Sequence, residues 1–316
     1  MKYGWKSGGI GWKEKNMKHL TVLIFCIILF FSTILGAQEN IVPVIIDTDL
    51  GLDDARALSL FLSSNKADIK AIVVSDGASS PNAGYENILR IYQFLRKPIV
   101  PVGIGRTYGA PPWRTKCETL GWAIWPDNID SNSEIPNSTE IIIKTLTDTS
   151  VPIVYVCMGP LTNIAEALKN ENFPSDRIEK ILYYGTSPND SEPSWNTMRD
   201  LEAARFVFSS ELPVWVMHPS SDQLIAFDSD FYKKICSINT DTARLVVLTH
   251  KDKRVQDLFG TKHSMVWDEI LALYIHKPSL IIGDYSGHGN PVFRFKNWDK
   301  NQASQLYFNI LSQGMH

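Results

Sequence analysis

The sequence is poor in cysteine, nearly balanced in charge and free of evident repeats. Four cysteines occur among 316 residues, and the formal net charge is −3. Without a surplus of Lys and Arg, we expect no binding to nucleic acid. Outside the N-terminal apolar run the cysteines are odd in number and irregularly spaced, so they predict neither a disulfide framework nor a zinc site.

The long apolar run at the N-terminus is typical of a secretory signal. It extends from Leu20 to Ala37, follows Lys18 and ends in the small residues Gly36 and Ala37. We expect cleavage after Ala37 and an exported protein, periplasmic or extracellular, without a stable membrane anchor. Met17 is an alternative start. The alternative to cleavage is an anchor that stays in the membrane, since the run is marginally long enough to span a bilayer.

Strand-like and helix-like segments alternate along the rest of the chain. Short apolar, β-branched segments predict strands, and apolar residues at helical spacing predict helices. The predicted strands are 41–46, 71–74, 98–103, 151–157, 178–184 and 213–217, and the predicted helices are 53–63, 82–95, 163–169 and 201–209, with mainly helical sequence from 228 onward, including 267–275 and 302–311.

This alternation predicts an α/β fold with a largely parallel central sheet and helices on both faces. In such folds ligands bind beyond the carboxyl ends of the strands. No linker divides residues 38–316, so we expect a single domain after the signal at 1–37. Two stretches, 104–136 and 186–197, interrupt the alternation, and long loops in compact domains are often lids or binding loops.

Four carboxylates lie directly after the first predicted strand: Asp47, Asp49, Asp53 and Asp54. They would repel each other strongly unless protons or a cation neutralised them. Capping of the following helix explains one or two of them. A hard cation with oxygen ligands explains all four, and calcium or magnesium suits such a set.

Two other motifs that begin Asp-x-Asp fit less well. An EF-hand loop needs Glu at its twelfth position, where this chain has Leu58, and it follows a helix rather than a strand. Phosphatases of the haloacid-dehalogenase type also place Asp-x-Asp after a first strand, but a Gly-Thr pair usually follows directly, whereas here Leu50-Gly51-Leu52 leads into Asp53-Asp54. A secreted phosphatase is also disfavoured because the sequence shows no glycine-rich phosphate cradle.

Residues 47–55 read Asp-Thr-Asp-Leu-Gly-Leu-Asp-Asp-Ala, and three further segments follow in order. They are Met-Gly-Pro-Leu-Thr-Asn at 158–163, Ser-Trp-Asn at 194–196 with Asp-Leu-Glu-Ala-Ala at 200–204, and Trp-Asp at 267–268. Together they resemble the signatures of the inosine–uridine-preferring nucleoside hydrolase family over about residues 41 to 280.

The resemblance implies a calcium-dependent N-glycosyl hydrolase that acts on a nucleoside or related ribosyl compound. Asp49 would take a proton from a water polarised by the metal, and this water would attack the anomeric carbon. The implied calcium ligands are Asp49, Asp54, Asp268 and the backbone carbonyl of Met158, with Asp47 supporting them and with Asp53 and Asn196 holding ribose hydroxyls.

Three positions depart from the family pattern. Asp76 stands where a Gly-Asn pair is expected to end, and we expect its carboxylate to accept hydrogen bonds from sugar hydroxyls. Leu120 replaces the His of a His-Gly pair. Trp267 replaces a His that protonates the departing base in some members; it either stacks on the base or fills space, and His263 is a candidate substitute acid.

These changes leave the hydrolytic centre intact and alter the leaving-group side, so the substrate need not be inosine or uridine. The alternative function is a secreted protein of the same fold that binds a nucleoside or sugar without cleaving it. The intact Asp49, Asp54 and Asp268 favour the enzyme. The sequence leaves the oligomeric state open, with a homo-oligomer as one alternative.

Overall fold

The computed structural model describes residues 41–109, 135–286 and 292–314, together with Met1 and Gly4. The chain divides into two compact units, Met1–Asn40 and Ile41–His316, and the fold described below belongs to the second. The predicted signal segment, apart from Met1 and Gly4, lies outside the described residues, as do Leu120 and most of the stretch 104–136. Within the described part of the chain, no helix combines the length and the apolar character needed to cross a membrane.

An eight-stranded sheet forms the centre of the second unit, with the strand order β3-β2-β1-β4-β5-β6-β10-β9. Every pair is parallel except β10 and β9 at one edge, and β7 and β8 form a separate antiparallel pair. The strands are β1 (Val42–Thr48), β2 (Ala67–Val74), β3 (Val102–Ile104), β4 (Ile153–Cys157), β5 (Ile178–Tyr183), β6 (Val214–Val216), β7 (Ile225–Ala226), β8 (Met265–Val266), β9 (Ile281–Ser286) and β10 (Val292–Trp298).

Eleven α-helices occur in the described residues. They are α1 (Leu52–Ser63), α2 (Pro81–Leu95), α3 (Ser138–Asp148), α4 (Thr162–Leu168), α5 (Trp195–Arg199), α6 (Leu201–Ser209), α7 (Ser229–Cys236), α8 (Asp241–His250), α9 (Lys253–Gln256), α10 (Glu269–His276) and α11 (Lys300–Gln313).

The apolar strands are buried on both faces of the sheet. Along β1, Val44 and Ile46 pack into one apolar cluster and Ile45 into another, because successive side chains point to opposite faces. The first cluster contains side chains of α1, α2, α7, α8, α10 and α11, and the second contains side chains of α3, α4 and α6. This two-sided burial explains why the strands are continuous apolar segments, and it confirms the predicted α/β fold.

The predicted strands and helices before residue 228 are confirmed, with shifted ends. The third strand is Val102–Ile104 rather than 98–103, since Pro98 and Pro101 have no backbone N–H to donate to a ladder. Pro101 still contributes its carbonyl oxygen, which accepts from Ile72 N at 3.0 Å. The segment 186–197 is not wholly a loop, because α5 begins at Trp195 with Ser194 as its N-cap.

The expectation of mainly helical sequence after residue 228 is wrong for 281–298. This segment contributes β9 and, after a gap in the described residues, β10, which pair in antiparallel fashion at the edge of the sheet. Their outward-facing residues are polar or exposed, as with Ile282 at 62% exposure, so neither strand is the continuous apolar run that marks the central strands.

The carboxyl ends of the central strands meet at one edge, and backbone hydrogen bonds continue across them. Met158 N donates to Asp47 O at 2.8 Å, and Tyr184 N donates to Cys157 O at 2.9 Å. Met217 N donates in turn to Tyr183 O at 2.9 Å. The residues that follow β1, β4, β5 and β6 therefore lie side by side.

Candidate active site

A cavity of about 660 Å³ opens at this edge of the sheet. Its walls combine an acidic side with an aromatic side. The acidic side consists of Asp49, Asp53, Asp54 and Asp268, and it adjoins Met158 and Asn196. The aromatic side includes Tyr184, Trp195, His218, His263 and Trp267. The structure thus gathers all but two of the predicted site residues, and these two are Asp47 and Asp76.

Asp47 lies beneath the cavity and is fully buried. Its carboxylate accepts hydrogen bonds from Tyr155 Oη at 2.7 Å and from Asn163 Nδ2 at 2.9 Å. Burial raises the pKa of Asp47 to about 7, against the lowering effect of these donors. The side chain does not line the cavity, and its hydrogen bonds join the end of β1 to β4 and α4.

Asp49 reaches the cavity but is only 4% exposed. Its Oδ2 accepts from Ala78 N at 3.0 Å. Burial raises the pKa of Asp49 to about 7, and the charge of Asp53 adds to the effect. The backbone after β2 packs directly on this side chain: a Cβ at Gly77 would lie 1.9 Å from Asp49 Oδ2, so only glycine fits there.

Asp54 is fixed by the turn that leads from β1 into α1. Thr48 Oγ1 donates to its Oδ1, and Gly51 N donates to its Oδ2 at 2.8 Å. Leu50 in this turn has φ of 52°, a left-handed conformation that a non-glycine residue adopts rarely. The strained turn places Asp53 and Asp54 on the first turn of α1, beside the end of the strand.

Asp268 comes from a different element, at the N-cap of α10. Each of Asp53, Asp54 and Asp268 offers a carboxylate oxygen, and these atoms lie within 4.8 Å of one another. Asp268 is 2% exposed, and its Oδ1 is buried without a hydrogen-bond partner. Burial, together with the charges of the neighbouring aspartates, raises the pKa of Asp268 well above its usual range.

This donor set fits a hard divalent cation. An unpaired buried carboxylate oxygen is costly, and three converging carboxylates repel each other. A cation with oxygen ligands would relieve both. The group of three converging carboxylates differs from the implied set of metal ligands. It includes Asp53, for which the resemblance implies a ribose contact, and the implied ligand Asp49 is joined to it through a hydrogen bond to Asp54.

Asn196 and Met158 are joined at the cavity wall. Asn196 Nδ2 donates to Met158 O at 2.6 Å and to Tyr184 O at 2.9 Å. Both amide hydrogens of Asn196 are therefore directed to the backbone, and its Oδ1 is the atom that can accept from a ligand hydroxyl. The Met158 carbonyl has a second lone pair for a further partner.

Asp76 is fully buried and does not line the cavity. Its Oδ1 lies 2.9 Å from Arg199 Nη2, and its Oδ2 accepts from Tyr108 N. A contact between Asp76 and a sugar would require this ion pair to open, so the structure does not bring this predicted residue to the site.

The aromatic side contains two residues that the sequence did not single out, Tyr184 and His218, together with Trp195 of the Ser-Trp-Asn segment. His218 packs on Tyr184 with ring centroids 5.4 Å apart, and burial lowers its pKa. Tyr184 follows β5 directly and His218 follows β6 by two residues, so the rule that ligands bind at carboxyl ends could have identified both. His263 and the half-buried Trp267 complete this side.

Carboxylates that converge on a cavity at the carboxyl edge of a largely parallel sheet are the arrangement of an α/β enzyme that works with acidic side chains. Residues 44–311 match the sequence model of the inosine-uridine preferring nucleoside hydrolases. The chain therefore belongs to the inosine-uridine preferring nucleoside hydrolase family and is an N-glycosyl hydrolase of nucleosides. The family is metal-dependent, in agreement with the acidic cluster.

Curated relatives include the pyrimidine-specific ribonucleoside hydrolases RihA of Salmonella schwarzengrund (strain CVM19633) and Salmonella gallinarum (strain 287/91 / NCTC 13346). Each is 31% identical over 265 residues, which cover 75% of this chain and 80% of the relative. The sequence resemblance to the family is thereby confirmed.

Solved structures show the same fold at low sequence identity. The inosine-uridine preferring nucleoside hydrolase from Bacillus anthracis has a TM-score of 0.72 at 16% identity, and the match covers 86% of this chain and all of that one (100%). The purine-preferring ribonucleoside hydrolase from Gardnerella vaginalis has a TM-score of 0.71 at 20% identity, with 85% and 98% covered.

Proposed function

We propose that the protein hydrolyses the N-glycosidic bond of a ribonucleoside with calcium as its metal and Asp49 as the general base. The observation that carries the proposal is at Asp268: its Oδ1 is buried without a hydrogen-bond partner, and a carboxylate oxygen of this residue lies within 4.8 Å of oxygens of Asp53 and Asp54. The proposed ligands are Asp49, Asp54, Asp268 and the Met158 carbonyl. Calcium accepts six to eight oxygen ligands in flexible geometry, so ribose hydroxyls and Asp53 can complete the set.

When bound, calcium supplies a Lewis acid that makes a water more acidic. The chain supplies the base. Asp49 Oδ2 accepts from Ala78 N, and this hydrogen bond orients the carboxylate that receives the proton of the attacking water. The oxygen of this water bonds to the anomeric carbon, the bond from that carbon to the base nitrogen breaks, and the products are the free sugar and the free base.

Asp53 and Asn196 hold the sugar. Asp53 can accept from one ribose hydroxyl, and Asn196 Oδ1 can accept from another because its amide hydrogens are directed to the Met158 and Tyr184 carbonyls. Asn196 also donates to the carbonyl of Met158, which is a proposed metal ligand. The residues proposed to hold the sugar and the metal are therefore in direct contact.

The base leaves toward the aromatic side. Trp267 offers a stacking surface, and His218 offers an imidazole that burial keeps neutral at neutral pH, because burial lowers its pKa. A neutral imidazole carries one N–H, which can donate to the departing base. Pyrimidine ribonucleosides are the first substrates to test, since the relatives at 31% identity carry that name.

The site of action is outside the cytoplasm. The proposed mature chain begins near Gln38, after the apolar run that ends at Ala37. Mass spectrometry of the protein isolated from its native host measures this directly, and recovery of an intact apolar segment in the membrane fraction would contradict export by cleavage.

The mature protein should be incubated with pyrimidine and purine ribonucleosides in calcium, in chelator, and in chelator followed by excess calcium. We expect free base and reducing sugar in equal amounts, loss of both in chelator, and recovery with calcium. Asp49→Asn, which keeps the shape but not the proton acceptor, should bind nucleoside and release no base. Saturable nucleoside binding without any base release by the unmodified protein would identify a non-catalytic binder instead.

A further inference from the structure

A fully buried guanidinium links the two helices that bring acidic side chains to the cavity. Arg56 lies on α1 and is 2% exposed. Its Nε donates to Glu269 Oε1 at 2.5 Å, and its Nη2 donates to Met265 O at 2.6 Å. The guanidinium carbon also lies 4.3 Å from the centroid of the Phe227 ring. The planar group is thus held on several sides at once.

His250 completes the surroundings of Arg56. His250 Nδ1 lies 3.0 Å from Val246 O, so this nitrogen carries the hydrogen and donates it. The other nitrogen, Nε2, lies 3.1 Å from Arg56 Nη1 and accepts from it. Burial and the charge of Arg56 lower the pKa of His250, which keeps the imidazole in this neutral form.

Glu269 connects Arg56 to the backbone beside Asp268. Its Oε1 binds Arg56, and its Oε2 accepts from Trp267 N at 2.8 Å. Asp53 and Asp54 lie within one turn of Arg56 on α1, and Asp268 lies between Trp267 and Glu269. One ion pair therefore fixes both sides of the acidic cluster.

Such a connection is needed because the carboxylates of the acidic cluster repel one another. Carboxylate oxygens of Asp53, Asp54 and Asp268 converge within 4.8 Å, and repulsion would separate α1 from the start of α10 in the metal-free protein. We propose that Arg56 and Glu269 are positioning residues that hold Asp268 against the α1 acidic turn, so that the site is preformed for a divalent cation. The inference rests on the proposed metal function and deepens it.

A charge effect and a positioning effect predict opposite results for Arg56→Met. Removal of a positive charge near the site should strengthen cation binding if only Coulomb attraction matters. Loss of positioning should weaken it, although the positive charge is gone. Calcium alone, titrated into the metal-free protein by calorimetry without substrate, measures the dissociation constant.

The double variant Arg56→Met/Glu269→Leu separates positioning from folding. It removes one charge of each sign and replaces a buried ion pair with apolar groups, an exchange that often preserves stability. We expect urea unfolding near that of the parent protein and calcium binding weakened by about tenfold or more, the effect typical of lost support around a metal site. Amide exchange of residues 265–268 in chelator should be faster than in the parent.

Leu146→Ala is the matched control. Leu146 is fully buried in the apolar cluster on the other face of the sheet, so the variant should unfold more readily and bind calcium as the parent does. Parent-like calcium affinity and amide exchange in the double variant would overturn the positioning role. Failure of the parent itself to bind calcium would overturn the metal proposal, and the amide exchange in chelator would still decide whether the ion pair holds the Asp268 segment.

Discussion

Arg199 holds the carboxylate of Asp76 in an ion pair of 2.9 Å and uses the same Nη2 to donate to the Gly109 carbonyl at 2.7 Å. Its Nε donates in addition to the Asp76 carbonyl at 3.0 Å. The side chain expected to contact a sugar thus fastens α5 to the backbone that follows β2 and β3.

Asp76→Asn therefore tests a structural role against a sugar contact. The variant keeps the shape but removes the charge that pairs with Arg199, so we expect a loss of about 1–3 kcal/mol in the free energy of unfolding. The KM for a nucleoside should stay within about twofold, because Asp76 is not in the cavity wall. Asp53→Asn, which alters a cavity residue, should raise KM strongly. A large rise in KM for Asp76→Asn without loss of stability would instead indicate that Asp76 contacts the sugar.

The acidic cluster predicts an unusual dependence on pH in the metal-free protein. The folded pKa of Asp49 is raised to about 7 by burial, and its unfolded value is 3.8. Between these values the folded state binds the proton more tightly, so the contribution of Asp49 to stability is present at low pH and is lost as pH rises from about 4 to about 7.

Urea unfolding in chelator across this pH range, for the parent and for Asp49→Asn, measures the contribution as a difference. The variant should lose less stability as pH rises, because its amide does not ionise. Calcium should offset the loss in the parent at pH 7, since it favours the ionised carboxylates. Parallel pH profiles for the two proteins would contradict the buried, uncompensated state of Asp49.

The fold and the acidic turn could be predicted from the sequence because their signals are local. The strands are buried on both faces and are therefore continuous apolar segments, and Asp49 and Asp54 follow one of them within a few residues. The Arg56–Glu269 and Asp76–Arg199 pairs could not be predicted, because the tertiary fold alone brings their residues together. The first pair is separated by 213 positions in the sequence and the second by 123. β9 and β10 escaped prediction because half of their side chains face outward.

His250 predicts a second pH effect, of opposite sign. Its folded pKa is lowered well below 6.5 by burial and by Arg56. The unfolded state therefore binds a proton that the folded state does not, and stability is lost as pH falls below about 6.5, by up to about 1.4 kcal/mol per pH unit. His250→Gln retains a hydrogen-bonding side chain that does not titrate, so its stability should fall less between pH 7 and pH 5 in buffers with calcium. Equal losses in the parent and the variant would contradict the buried neutral imidazole.

The leaving-group side can be tested with a substrate that needs no proton. A nucleoside requires donation to its departing base, whereas a 4-nitrophenyl riboside releases a stable phenolate unaided. If His218 donates to the base, His218→Ala should reduce kcat for nucleosides about 10²–10⁴-fold and leave 4-nitrophenyl riboside hydrolysis nearly unchanged. His263→Ala is the matched control, because His263 also lines the cavity but is exposed. We expect the hydrolysis of both substrates to be unchanged in this variant.

Trp267 should show a different pattern, because stacking acts on any aromatic leaving group. Trp267→Ala should cost about 1–3 kcal/mol in transition-state binding for nucleosides and for the aryl riboside alike, and Trp267→Phe should retain part of the activity. If Trp267 only fills space, both variants should melt at lower temperature while turnover per folded molecule stays constant.

Trp267→His would place a new imidazole on the aromatic side, and a gain in nucleoside turnover in the His218→Ala background would show that residue 267 faces the departing base. Equal losses on both substrates in His218→Ala would instead assign His218 to binding, since a proton donor cannot matter to a leaving group that departs as an anion.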